Sequence, residues 1–204
     1  RWGYFYGQAR AALLLAGLLH QLGRPDAEAA FVDAGQRLLR GGYIFLLDME
    51  RWLAYPLVAA YLIGHSQETA LLAEQLLQKL QSFPPAPLYI TTLGGLQVRS
   101  GARLVDRKIL RQRSADALLV LLLIQRSHSL TSDEAAEALC PDKTPEAGRD
   151  FVHHATSALR RALEPELPDR RFPSRYLEAE SERLTLHLPP HSTLDFETFQ
   201  TLYR

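Results

Sequence analysis

The chain has 204 residues, 47% of them hydrophobic, with 23 basic and 23 acidic side chains and a formal net charge of zero. That is enough for a core of one or two domains, while the single cysteine, Cys140, excludes an internal disulfide or a multi-cysteine zinc site and fits a reducing compartment. The longest apolar runs, Leu57–Ile63 and Leu118–Ile124, are too short to cross a bilayer; with no leader ahead of Arg1, the expectation is a cytoplasmic piece of a larger protein without a membrane partner.

Residues 1–83 read as helical hairpins. A first helix spans Trp2 to Leu22 and Gly23 closes it; Pro25-Asp26 opens a second that ends at Gly41-Gly42. A third is expected over Asp48 to Ile63, with Pro56 breaking or kinking it near Tyr55, and a fourth over Gln67 to Gln81. Short connections imply antiparallel neighbours. The first hairpin resembles a tetratricopeptide repeat, in which Gly17 and Ala29 would be the small residues at the close approach of its two helices.

The run Ser82-Phe83-Pro84-Pro85-Ala86-Pro87 cannot continue a helix and marks a boundary. Beyond it the pattern alternates. Leu88–Leu93 reads as a strand, Gly94-Gly95 as a turn and Leu96–Arg99 as the hairpin partner. Ser114 is placed to cap a very apolar helix, Ala115 to Arg126. Thr131 and Glu134 have capping-box spacing ahead of a short helix through Leu139. Thr144 and Pro145 then open the longest amphipathic helix of this half, which Pro165 ends. Gly148, Val152, Ala155, Thr156, Leu159 and Leu163 share one side of it; Glu146, Asp150, His154, Ser157 and Arg161 share the other. A strand hairpin follows within Arg175–Leu188, with Glu180-Ser181-Glu182 at its tip.

Strands, two short helices, a long helix and a terminal hairpin are the layout of a winged helix, whose third helix is offered to the major groove. The fold class expected is therefore mainly α with small β hairpins (α+β): tetratricopeptide-like hairpins over 1–83 and a winged helix over 84–190. Three separated motifs, L-Y-I-T-T-L-G-G-L-Q-V-R-S-G, R-Q-R-S-A-D-A-L-L-V-L-L and S-A-L-R-R-A-L-E-P, resemble the OmpR/PhoB-type winged helix. They are closest to its form in SARP-type and MalT-like bacterial activators. The tail Leu194–Gln200 resembles the opening of the helical activator domain that follows it there, so 191–204 is read as a truncated start of that domain. The resemblance implies a bacterial transcriptional regulator that binds double-stranded DNA, in tandem or as a homodimer. It also implies RNA polymerase or another protein as partner of the helical region.

The DNA-contacting residues expected are Arg149, His153, His154, Ser157, Arg160 and Arg161 on the long helix. Arg111 and Arg113 come from the cluster Arg99–Arg113, and Arg175 and Arg183 border the wing. The long helix nevertheless begins with Glu146 and Asp150, and the wing tip is acidic. Residues 84–190 hold fifteen basic and fourteen acidic side chains. These features define the alternative, a winged helix turned protein-interaction or scaffold module. Catalysis is not expected. Cys140 has no histidine beside it, the seven histidines lack metal-ligand spacing, and no phosphate-binding G-x-x-x-x-G-K-[ST] occurs. Neither cofactor nor metal is called for.

Overall fold

The computed structural model describes residues 2–167 and 172–202, and it is an α+β protein with its strands in two small sheets. The chain divides after Pro84 into two compact units, with Glu166 and Leu167 grouped with the first. This boundary falls inside the proline run.

The first unit is helical: α1 (Trp2–Gln21), α2 (Ala27–Gly41), α3 (Phe45–Met49), α4 (Arg51–Ala60) and α5 (Gln67–Ser82). Gly42 ends α2 in the left-handed conformation at φ 71° and returns its N–H to the Leu38 carbonyl, a geometry that glycine adopts without steric cost. Ser66 opens α5 by accepting from the Thr69 N–H at 3.2 Å. The helix break in the third segment lies at Glu50, between α3 and α4, and not near Tyr55; α4 runs through Pro56. Glu50 leaves helical geometry at φ −104°, ψ 32°. Its carboxylate is held by Arg10 at 2.6 Å and by the Trp52 indole N–H at 3.3 Å.

The close approaches in this unit also differ from those expected. A β-carbon on Gly17 would lie 2.4 Å from Leu53 in α4, and one on Gly35 would lie 2.9 Å from Leu72 in α5. Gly17 and Gly35 of the first hairpin therefore each admit a leucine of the second, while Ala29 is exposed. Helix α1 packs on α2 and α4, and α2 on α5, so the hairpins stack through like-placed helices. Phe31, Leu38, Tyr55, Leu76 and Leu80 fill the space between them.

The second unit opens with the strands β1 (Leu88–Thr91), β2 (Gln97–Ser100) and β3 (Arg103–Leu104). Then come α6 (Arg107–Leu110), α7 (Ala115–Ile124), β4 (Ser129–Thr131), α8 (Ser132–Leu139) and α9 (Pro145–Leu163). It closes with the hairpin β5 (Leu177–Glu180) and β6 (Arg183–Leu186), then β7 (Thr193–Leu194) and α10 (Asp195–Leu202). One sheet runs β3-β2-β1-β7, the other β4-β6-β5. Strand β1 is antiparallel to β2, with Ile90 opposite Val98, and parallel to β7, with Ile90 opposite Leu194.

Helix α7 is apolar nearly all round because it is the centre of the core. Leu118, Leu119 and Leu122 are fully buried, together with Leu88, Ala155, Ala158 and Leu159 from β1 and α9. Ser114 does not cap it. Arg113 and Ser114 have left-handed φ values of 51° and 59°, which turns the chain sharply between α6 and α7. Asp106 caps α6 instead, accepting from the Lys108 N–H at 2.8 Å. The capping box of α8 is present, with Thr131 and Glu134 bonded reciprocally.

The segment read as the start of a following domain is joined to this unit. Leu194 is 3% exposed in the shared core. The Asp195 carboxylate accepts from the backbone N–H groups of Thr92, Leu93 and Phe196 at 2.8–2.9 Å. Four helices, α6 to α9, lie between the first strands and the hairpin β5–β6, the element order expected of a winged helix.

Candidate nucleic-acid interface

Helix α9 is the longest helix of the second unit, and both of its ends are secured. At the start Thr144 Oγ1 accepts from the Ala147 N–H at 3.4 Å, and Pro145 occupies the first turn. At the end the guanidinium of Arg103, from β3, donates to the Ala162 carbonyl at 3.3 Å and the Leu163 carbonyl at 2.6 Å. A cation on the last carbonyls suits the negative end of the helix dipole. Between these anchors Gly148, Val152, Ala155, Ala158, Leu159, Ala162 and Leu163 are buried. Gly148 lets α9 approach α8 closely, since a β-carbon there would stand 3.0 Å from Ala136, tighter than an ordinary contact.

The opposite stripe is largely exposed and changes character along its length. Glu146 and Asp150 come first, then His153 and His154, then half-buried Ser157 and Arg160, then exposed Arg161. Acids at the start and bases at the end match the helix dipole. The two histidine rings stand 5.8 Å apart at 57°, side by side without converging on a shared ligand position. Thr156, assigned to the buried side, is half-buried and donates to the Val152 carbonyl at 2.8 Å. Ala158 is fully buried and forms part of the core.

The remaining arginines separate into distinct settings. Arg111 and Arg113 are exposed at the sharp α6–α7 corner, which packs against α9. Arg149 is exposed but bound in a two-pronged pair with Asp133 of α8, Nε–Oδ1 2.7 Å and Nη2–Oδ2 3.0 Å. Hydrogen bonding from Arg149 holds the Asp133 carboxyl below the usual range, and Asp133 in turn raises the arginine. Arg175 is not available at the wing. Its side chain is 17% exposed and pairs at 3.2 Å with Glu164, whose side chain is fully buried. That carboxylate also accepts from the Arg175 backbone N–H at 3.1 Å and from the Ser174 hydroxyl. Arg183 is exposed on β6, opposite Glu180 in the ladder and 3.4 Å from the Ser129 hydroxyl.

The wing turns tightly. Ser181 and Glu182 occupy its two loop positions at φ 47° and 68°, the left-handed pair of a type I′ hairpin. The Glu182 carbonyl accepts from the Ser132 N–H at 2.7 Å, so the tip is fastened to the start of α8.

Sequence reasoning placed Arg103 only within the basic cluster Arg99–Arg113, without its contact to the end of α9, and missed Asp133 and Glu164. Only Glu164 left a local signal: an acid at a helix C-terminus opposes the dipole and calls for a cationic partner from elsewhere.

Among the described residues no cluster of His, Cys, Asp or Glu is arranged to hold a metal ion, and no helix is long and apolar enough to cross a membrane. No protein-family model matches this chain, and neither the curated proteins nor the solved structures contain a match.

Proposed function

We propose that the second unit binds double-stranded DNA, with α9 in the major groove, as the DNA-binding part of an OmpR/PhoB-type transcriptional regulator of the SARP-type or MalT-like kind. The observation that carries this reading is the α9 stripe. On a helix pinned at both ends, His153, His154, Ser157, Arg160 and Arg161 share the side away from the core. A rigid helix face turned away from the core can offer its side chains to base edges in the major groove. In this reading His154 and Ser157 address base edges, while Arg160, Arg161 and the corner residues Arg111 and Arg113 address phosphates. Asp150 is suited to accept from a cytosine amino group. The first unit then serves as a contact for RNA polymerase or another protein, in the cytoplasm.

The test is binding of the chain to random-sequence duplex DNA across a salt series, beside an Arg160→Ala/Arg161→Ala variant. The expected result is micromolar or tighter binding that weakens steeply with salt, with a shallower slope in the variant. Absence of binding at low salt overturns the reading.

A second reading has its own support. Two of the arginines expected to contact DNA, Arg149 and Arg175, are held by carboxylates, and Glu180 and Glu182 stand exposed at the wing tip. A protein-interaction module would make these contacts without needing a positive surface. It is the reading that remains if DNA does not bind.

A further inference from the structure

We propose that Asp133 acts as an internal substitute for a DNA phosphate, keeping Arg149 masked in the free protein until the duplex displaces it. This inference rests on the DNA-binding reading. A carboxylate and a phosphate present the same pair of oxygens to the arginine fork, and Asp133 fills both prongs at 2.7 and 3.0 Å. The pair is open to exchange, since the two side chains are 52% and 59% exposed, and ion pairs in that setting are weak. The Arg175–Glu164 pair makes the contrast. Its carboxylate is fully buried, so it is a fixture of the fold.

The location suits the role. Asp133 lies in the first turn of α8 and Arg149 early in α9, on the edge that faces α8. In helix-turn-helix docking the helix preceding the recognition helix crosses the phosphate backbone. The wing adds to the arrangement. Glu182, tied to Ser132 at 2.7 Å, adds negative charge close enough to act on Arg149. Arg149 is thus a phosphate-contacting residue set against an acid belonging to the same surface. Affinity is reduced, and duplexes unable to place a phosphate there are rejected.

The experiment compares wild type, Asp133→Asn, Arg149→Ala and the double variant on a labelled random-sequence duplex across a salt series. Asp133→Ser serves as a second unmasking variant, and thermal melts confirm folding. Unmasking is expected to tighten binding about two- to fivefold at low salt and to steepen the salt slope by about 0.9. Arg149→Ala and the double variant are expected to bind alike. Equal tightening with and without Arg149 would reveal only the general loss of a negative charge and overturn the proposal. So would unchanged binding in both unmasking variants. If none of the proteins binds at low salt, the DNA-binding reading falls and the masking with it. If wild type binds and depends on Arg160 and Arg161 while Asp133→Asn changes nothing, the masking alone falls.

Discussion

The guanidinium of Arg103 meets the carbonyl of Leu163 at 2.6 Å, joining the short strand β3 to the last turn of α9 across 60 residues of sequence. Arg103 thereby leaves the group of arginines available to a ligand and becomes part of what holds the exposed helix in place. Its basic neighbours Arg107, Lys108, Arg111 and Arg113 remain exposed.

Substituting Arg103 by alanine is expected to cost about 1 kcal/mol, the usual size of a lost hydrogen bond with its contribution to the helix end. A lower melting temperature, with faster amide exchange at the end of α9 than at its start, is the result to look for. Arg103→Lys should restore only part of the loss, because an ammonium lacks the fork that reaches two carbonyls.

Glu164 and Arg175 form the most deeply buried ion pair of the second unit among the described residues. Removing one partner leaves an uncompensated charge, so Glu164→Ala is expected to destabilise by about 3 kcal/mol. Replacing both, with Glu164→Met and Arg175→Leu, should cost markedly less than the sum of the single changes. Denaturant unfolding of the four proteins measures that coupling.

Asp195 yields a pH dependence with a definite sign. Partial burial works to raise its carboxyl. The Leu93 and Thr92 N–H groups, the Thr92 hydroxyl and the Phe196 N–H together outweigh that effect and hold it below the ordinary value. Its contribution to stability is therefore fully present above the unfolded value of about 3.9 and is lost as pH falls through the lower folded value. Asp195→Asn should unfold more readily than wild type at pH 7, with the difference closing below about pH 4. Melts at several pH values between these limits provide the check.

The features legible in the sequence are those decided within a few residues. Thr144-Pro145 predicts the start of α9, Thr131 and Glu134 predict the capping box, and the proline run predicts the boundary, because each works through its own backbone. What escaped the sequence depends on partners far along the chain. Gly17 looks like the contact between α1 and α2, yet it receives Leu53 of α4. Pro56 looks like a breaker, yet the break is at Glu50, whose carboxylate is paired with Arg10. Arg175 looks like a wing residue until Glu164 is seen beside it. In the candidate interface the stripe on α9 was readable from periodicity. The division of the arginines into exposed, surface-paired and buried was not, because it depends on which carboxylate each one meets.

The parallel pairing of β1 with β7 has a consequence for the order in which the second unit is made. Leu88 gives its N–H to the Ser192 hydroxyl, 104 positions further on, and Ile90 lies beside Leu194. During synthesis the strand that opens the unit therefore waits with one edge unpaired until almost all of the unit has left the ribosome. Contacts of such long range are slow to form, and an uncovered strand edge invites pairing with other chains. A ribosome that stalls before Thr193 holds a nascent chain whose helices can assemble and whose first sheet cannot close.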